Sequence, residues 1–96
     1  MDGTDSSPDA KSNPHLQAVA ELFRIEQALQ QTKAAQRSAA ESFEKSADSH
    51  DRAAKSYEKL AELGEGDEYL ERAARHRGFA QEDRQIAERL RRMAGD

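Results

Sequence analysis

The sequence repeats every seven residues, first over residues 38–65 and again over residues 73–93. The first stretch divides into the heptads SAAESFE, KSADSHD, RAAKSYE and KLAELGE, and the second into AARHRGF, AQEDRQI and AERLRRM. A strict seven-residue period is typical of helices that pair in a left-handed supercoil. The repeat therefore predicts an all-α chain whose helices pack in the manner of a coiled coil.

Helix boundaries can be placed from the residues that start and stop helices. Asn13 followed by Pro14 forms a good helix start, with Asn as N-cap and Pro in the first turn, and residues 15–63 contain neither Gly nor Pro. Gly64 fits a left-handed C-cap and Asp67 an N-cap for the next helix. We predict a helix over 14–63, a turn over 64–67 and a helix over 68–94.

The segments outside these helices are short. Residues 1–13 are acidic, rich in Asp and Ser and nearly free of apolar side chains, so we predict a disordered tail. Gly95 provides the stop for the second helix, and Gly78 is the one glycine inside it. A single helical hairpin domain over 14–94 is the expected organisation.

The heptads give a pairing for an antiparallel hairpin. In the first helix, core position a falls at Leu22, Leu29, Gln36, Phe43, His50 and Tyr57, and position d at Ile25, Thr32, Ala39, Ser46, Ala53 and Leu60. In the second helix, the a series is Tyr69, His76, Asp83 and Leu90, and the series assigned to d is Ala73, Ala80, Ala87 and Ala94. Residues whose numbers add up to about 130 then face each other, and large residues face small ones, which allows close packing.

The two predicted helices differ in length, at about 75 Å and about 40 Å for a rise of 1.5 Å per residue. The second helix would cover the first only back to Gln36, which leaves an apolar N-terminal stretch without a partner. Exposed apolar stripes of this kind mark interfaces. The candidate interface residues are Leu16, Val19, Leu22, Phe23, Ile25 and Leu29, together with Phe79, Ile86 and Met93 beside the seam.

Two architectures would cover these residues. The chain could dimerise into a four-helix bundle, with each N-terminal overhang packed on the partner copy. Alternatively, the first helix could break near residues 31–38 or 46–49 and fold back into a three-helix bundle. We expect the homodimer because residues 15–63 contain no strong helix breaker.

Three polar residues fall at seam positions. His50, His76 and Asp83 are expected to fix the register of the hairpin and to make it pH-sensitive, because imidazole titrates near neutral pH. Metal sites inside helical bundles are built from Glu-x-x-His sets, and neither histidine has a Glu three residues before it. We therefore expect no metal site, no cofactor and no catalytic residue.

A cluster of arginines near the end of the second helix suggests a second, alternative function. Arg84, Arg89, Arg91 and Arg92 could form a patch for nucleic acid or another anionic partner. However, Glu82, Asp83 and Glu88 nearly neutralise them, and cations at a helix C-terminus also stabilise the helix itself. No nucleic-acid-binding motif accompanies the arginines, so nucleic acid is not the expected partner.

Composition limits the remaining classes. Of the 96 residues 35% are hydrophobic, and half of these are alanine, while Cys is absent and the net charge is −4. Disulfide scaffolds, thiolate metal sites and thiol nucleophiles are excluded, and no stretch approaches the length of a membrane span. We expect a cytoplasmic protein without membrane attachment or small-molecule substrate.

Two family comparisons bear on these patterns. A helical hairpin of about this length invites comparison with the WXG100 secretion substrates, but Trp is absent and the turn reads Leu-Gly-Glu-Gly, so the chain is not a member. The Ala-Ala-x-x-His/Tyr/Phe heptads and the Arg-Ala-Ala-Arg-His-Arg segment at 72–77 resemble small uncharacterised actinobacterial Ala/Arg-rich helical-hairpin proteins, over residues 38–93. The resemblance implies a source but no activity.

These observations lead to one functional prediction. The chain is expected to be a non-enzymatic protein–protein interaction or regulatory module, which self-associates through its N-terminal apolar overhang and binds a further, unidentified protein.

Overall fold

The computed structural model describes residues 13–64 and 66–96, and within them the chain is entirely helical apart from short turns and ends. Helix α1 spans Pro14–Glu62 and helix α2 spans Asp67–Ala94. The sequence-based prediction of an all-α chain is thus confirmed. The predicted ends, 14–63 and 68–94, differ from the observed ones by one residue each at the turn. The predicted disordered tail, except for Asn13, lies outside the described residues.

The helix ends follow from local chemistry. The Asn13 side-chain Oδ1 accepts hydrogen bonds from the backbone N–H groups of His15, at 2.9 Å, and Leu16, at 3.3 Å, so Asn13 caps α1 as predicted. Gly64 has φ +87° after α1, and Gly95 has the same φ after α2. Both lie in the left-handed region that glycine adopts without steric cost.

The start of α2 differs from the prediction. Asp67 is the first residue of the helix and not its N-cap, and Gly66 occupies the cap position with φ +101° and no side-chain hydrogen bond. Asp67 and Glu68 both lie in the first turn, where the positive end of the helix dipole interacts favourably with their carboxylates. The acidic residue therefore acts through its charge there and not through a capping bond.

By contacts, the chain divides into two compact units, Met1–Thr32 and Lys33–Asp96, with the boundary inside α1. The sequence predicted one hairpin domain over 14–94. In the first unit, every described residue after Asn13 is exposed.

The second unit is an antiparallel two-helix hairpin built on alanine. Its buried residues form one seam, with exposures between 0% and 2%. They recur every seven residues on each helix, and we call them the alanine seam: Ala40, Ala47 and Ala54 of α1 with Ala73, Ala80, Ala87 and Ala94 of α2. Alanine has a high helix propensity and the smallest side chain that still has a Cβ, so two helices can approach closely along it.

The register of α1 in this seam differs from the prediction. Ala39, Ser46 and Ala53, predicted for the centre of the seam, are only half-buried, and the residues that follow each of them are buried instead. On both helices, each buried alanine therefore lies four positions after a residue of the a series. This rotation turns Glu44, Asp51 and Glu58 towards α2, where they meet arginines.

The predicted alternation of large against small residues is also only partly present. Contacts do join residues whose numbers add up to about 130, as in the hydrogen bond from the Arg37 Nη2 group to the Ala94 carbonyl, at 3.3 Å. However, large rings of the a series lie against each other. Tyr57 stacks on Tyr69 with 5.9 Å between ring centroids and on His76 with 5.6 Å. With alanine at the centre of the seam, the rings fit beside it.

The predicted three-helix alternative is not observed in the part of the chain that the structure describes. Helix α1 runs as one α-helix from Pro14 to Glu62 and so passes through both predicted break regions, 31–38 and 46–49. Hydroxyl side chains near the first region instead bond back to the helix, as Thr32 Oγ1 does to the Ala28 carbonyl, at 3.0 Å. This bonding satisfies the hydroxyl without interrupting the helix.

Candidate functional site

One side of the alanine seam carries a row of rings, which we call the aromatic flank: His50, Tyr57, Tyr69, His76 and Phe79. Helix α1 supplies the first two at a spacing of seven residues, and α2 supplies the others. The Phe79 ring lies 5.3 Å from that of His50 and 6.2 Å from that of His76, centroid to centroid. The rings thus form a continuous, partly exposed apolar surface with two imidazoles inside it.

The two histidines predicted to fix the register contact each other directly. His50 Nδ1 and His76 Nδ1 lie 2.8 Å apart, at hydrogen-bond distance. Asp83 Oδ2 lies 4.0 Å from His50 Nε2, and it is buried without a hydrogen-bond partner in the structure as described. The structure therefore brings all three predicted residues together, as a row that runs His76, His50, Asp83.

The other side of the seam is closed by ion pairs between the helices, and we call it the ion-pair flank: Glu44, Asp51 and Glu58 of α1 with Arg91, Arg84 and Arg77 of α2. Arg91 binds Glu44 through two hydrogen bonds of 2.7 and 3.0 Å, and Arg77 binds Glu58 through two of 2.7 and 3.1 Å. Arg84 holds Asp51 at 2.7 Å and Asp48 at 3.1 Å. This flank keeps the antiparallel register through three repeats.

These pairs change the acidity of their carboxyl groups. Hydrogen bonding from Arg91 lowers the pKa of Glu44, against a smaller opposing effect of desolvation. Hydrogen bonds from Arg84 and Arg77 lower the pKa values of Asp51 and Glu58 in the same way. The three carboxylates therefore stay ionised below the pH at which ordinary carboxyl groups take up protons.

The predicted arginine patch is largely occupied by these contacts. Arg84 and Arg91 belong to the ion-pair flank, and Arg92 Nη1 binds Glu88 Oε1 one helical turn away, at 2.8 Å. Arg89 is exposed, and of the four arginines it is the one that makes no ion pair within residues 13–64 and 66–96. The arginines thus do not form a free cationic surface.

Most of the predicted interface residues are exposed apolar side chains. On residues 16–29 all six are between 41% and 66% exposed, and we call them the N-terminal apolar face: Leu16, Val19, Leu22, Phe23, Ile25 and Leu29. On α2, Phe79 and Met93 are exposed and Ile86 is half-buried. We call these three residues, which recur every seven positions, the α2 stripe.

The ion-pair flank was not predicted from the sequence, although a signal for it exists. Acidic residues recur at 44, 51 and 58 and arginines at 77, 84 and 91, and the residue numbers of each observed pair add up to 135. This is the antiparallel relation already indicated by the heptads. Arg84 and Arg91 were instead interpreted as part of a patch on the second helix, without reference to the acidic residues of the first.

Comparison with protein-family models, curated proteins and solved structures gave no match to this chain. Among the described residues, no helix has the length and apolar character needed to cross a membrane. The same residues contain no group of three or more His, Cys, Asp or Glu side chains placed to hold a metal ion.

Proposed function

We propose that this protein is a non-enzymatic helical interaction module that forms a homodimer through its N-terminal apolar face. The observation that carries the proposal is the exposure of six large apolar side chains within residues 16–29, among them Phe23 at 61% and Ile25 at 64%. Apolar surface of this extent on one helix is unfavourable in water and is typical of interaction sites. A binding role follows from this surface more directly than a catalytic one.

The partner surface that fits the N-terminal apolar face is the α2 stripe of a second copy. From Leu16 to Leu29 the face is about 20 Å long, and from Phe79 to Met93 the stripe is about 21 Å long, at 1.5 Å per residue. In this dimer each copy packs its N-terminal apolar face on the α2 stripe of the other. A single two-fold axis relates the two contacts, so both surfaces of both copies are covered. Such reciprocal contacts close the assembly at a dimer, which would form a four-helix bundle.

Charge supports the same pairing. Glu26 lies within the apolar face at helical spacing, and it is exposed with no ion pair in the described part of the chain. Arg75 and Arg89 border the α2 stripe at helical spacing and are likewise exposed without an ion pair there. The face thus offers an unpaired anion where the stripe offers unpaired cations, and opposite charges at the edge of an interface favour one register over others.

The alternative role, binding of nucleic acid or another anionic partner through arginine, has weaker support. Three of the four arginines in that patch already bind carboxylates. An anionic ligand would have to displace those carboxylates. Steep salt dependence of DNA retention, abolished by substituting Arg89, Arg91 and Arg92 with Ala, would favour this role.

The dimer can be tested by light-scattering mass. The wild-type chain should have twice the mass of one chain, and the double variant Phe23→Glu with Ile25→Glu should have the mass of one, because two carboxylates would have to be desolvated in the interface. Ala28→Glu with Gln31→Glu is the matched control. It adds the same charge on the opposite side of the helix and should remain dimeric.

A charge exchange tests the partner surface specifically. Glu26→Arg and Arg89→Glu should each weaken the dimer, and the two substitutions combined should restore part of the affinity. Wild-type protein that is monomeric at all concentrations, or Phe23→Glu/Ile25→Glu protein that keeps the dimer mass, would refute self-association. If the charge exchange leaves the dimer affinity unchanged while Phe23→Glu/Ile25→Glu abolishes the dimer, only the pairing with the α2 stripe is refuted, and self-association stands.

A further inference from the structure

The contact between His50 and His76 limits how many protons the hairpin can bind. Their Nδ1 atoms are 2.8 Å apart, and a hydrogen bond at this distance requires one N–H and one bare nitrogen. A neutral imidazole carries a single N–H, so the two rings must adopt opposite tautomers. The pair is therefore built from one donor and one acceptor that belong to different helices.

Asp83 decides which ring is the donor. Its Oδ2 atom lies 4.0 Å from His50 Nε2, which makes it the carboxylate nearest to that nitrogen, and its side chain is only 17% exposed. A carboxylate on that side favours a proton on Nε2 of His50, because the N–H dipole then points at the negative charge. His50 Nδ1 is thus the acceptor and His76 Nδ1–H the donor.

We propose that the hairpin accepts one proton on this pair but is opened by a second, so that the pair makes helix association pH-dependent. The first proton binds to His76 Nε2 and leaves the Nδ1–Nδ1 hydrogen bond intact. The second has to bind to His50 Nδ1, where it would face the N–H of His76. It replaces a hydrogen bond with two opposed donors and places two cations side by side between the helices.

The other charged groups around the pair do not remove this conflict. On the α1 side, the neutral Tyr57 ring stacks on His76. On the α2 side, Arg72 and Arg75 border the same depression as His76, and Arg72 is already bound to Glu68 at 2.6 Å. Asp83 can compensate one positive charge, but not two.

Stability should consequently fall as the pH is lowered through the range in which imidazoles take up protons, pH 8 to 5. In the unfolded chain both histidines bind protons independently, so the unfolded state binds one more proton than the closed hairpin. The state that binds more protons gains population as the pH falls. We expect the folding equilibrium constant to drop about tenfold between pH 7 and pH 5, where carboxyl groups of ordinary acidity still remain ionised.

The proton count can be measured directly by NMR of the histidine side chains in the full chain. His15 is exposed in the first turn of α1 and provides an internal reference. The His50 and His76 signals should change in two coupled steps as the pH falls, the second together with loss of the hairpin. Three histidines that titrate alike, with the hairpin intact at pH 5, would overturn the proposal.

Urea unfolding at several pH values tests the energetic consequence. The measurement is best made in the Phe23→Glu/Ile25→Glu background, so that dimerisation does not contribute and failure of the dimer proposal cannot be confused with failure of this one. His76→Gln and His50→Gln should flatten the pH dependence, and the control His15→Gln should leave it unchanged. A His76→Gln variant with the same pH dependence as its parent would contradict the proposal.

Discussion

The two units of the chain use apolar residues in opposite ways. In Lys33–Asp96 the fully buried residues are all alanine, whereas residues 16–29 carry most of the large aliphatic side chains of α1 and expose them. The unit with a core has little apolar area to bury, and the stretch with ample apolar area has no core. The strongest hydrophobic surface of the described residues is thus exposed and lies outside the core.

The difference also shows what holds the hairpin together. Burial of a methyl group contributes on the order of 0.8 kcal/mol, so seven alanines contribute far less than a core of leucines would. What alanine adds instead is helix propensity and close approach. Close approach in turn places the two flanks within reach of the opposite helix, with the rings on one side and the ion pairs on the other.

The largest expected effect is from enlarging a residue in the alanine seam. Ala47 is 0% exposed, and Ala47→Leu should destabilise the hairpin by about 2 kcal/mol or more, because the added carbons have no space unless the helices move apart. Urea unfolding measures the loss. Ala74→Leu, at an exposed position of α2, is the control and should change stability by less than about 0.5 kcal/mol. Equal effects would mean that close approach does not depend on alanine.

Sequence reasoning predicted the helical class and the antiparallel pairing, because both depend on spacing alone. It did not predict which alanines of α1 are buried. Ala39–Ala40 and Ala53–Ala54 are adjacent pairs, so residue type cannot choose between their members. Which alanine is buried depends on the ion-pair flank, because the acidic residues of α1 reach the arginines of α2 when Ala40 and Ala54 lie at the centre of the seam.

The candidate sites differ in how far they could be predicted from the sequence. The exposed face over residues 16–29 could be found because it depends on composition and on the unequal helix lengths. The contact between His50 and His76 could not, since a rotation of α1 by one residue separates or joins the rings. Likewise, the pairing of Arg84 and Arg91 with acidic residues of α1 was not predicted, because it requires the exact rotation of both helices.

A smaller effect, with opposite sign, is expected at Gly78 inside α2. A Cβ added at Gly78 would meet no atom within 4 Å, and its backbone is helical. Gly78→Ala should therefore stabilise the hairpin by about 0.5–1 kcal/mol, by reducing the freedom of the unfolded chain. Gly95→Ala is the contrasting variant, because Gly95 has φ +87° at the C-cap and should lose stability. A destabilised Gly78→Ala protein would show that the seam needs a glycine at that place.

The smallest expected effect is on the ion-pair flank, whose side chains are in contact with solvent. The lowered pKa values of Glu44, Asp51 and Glu58 mean that the folded state holds these protons less tightly than the unfolded chain. Their contribution is thus fully present above the ordinary carboxyl range and is lost as the pH falls below about 4. This acid loss is separate from any change between pH 7 and pH 5 that involves the histidines.

Glu44→Gln tests the ion-pair flank with Glu41→Gln as its control, because the ion pair of Glu41 is with Lys45 of the same helix, at 3.1 Å. Glu44→Gln should lower the urea midpoint slightly at pH 7 and less at pH 3, where the wild-type carboxylate begins to be neutralised. High salt should reduce the difference at pH 7, since exposed charges are screened. If Glu41→Gln has the same effect, the pairing across the seam adds nothing beyond local helix stabilisation, and the alanine seam and the aromatic flank alone must fix the register.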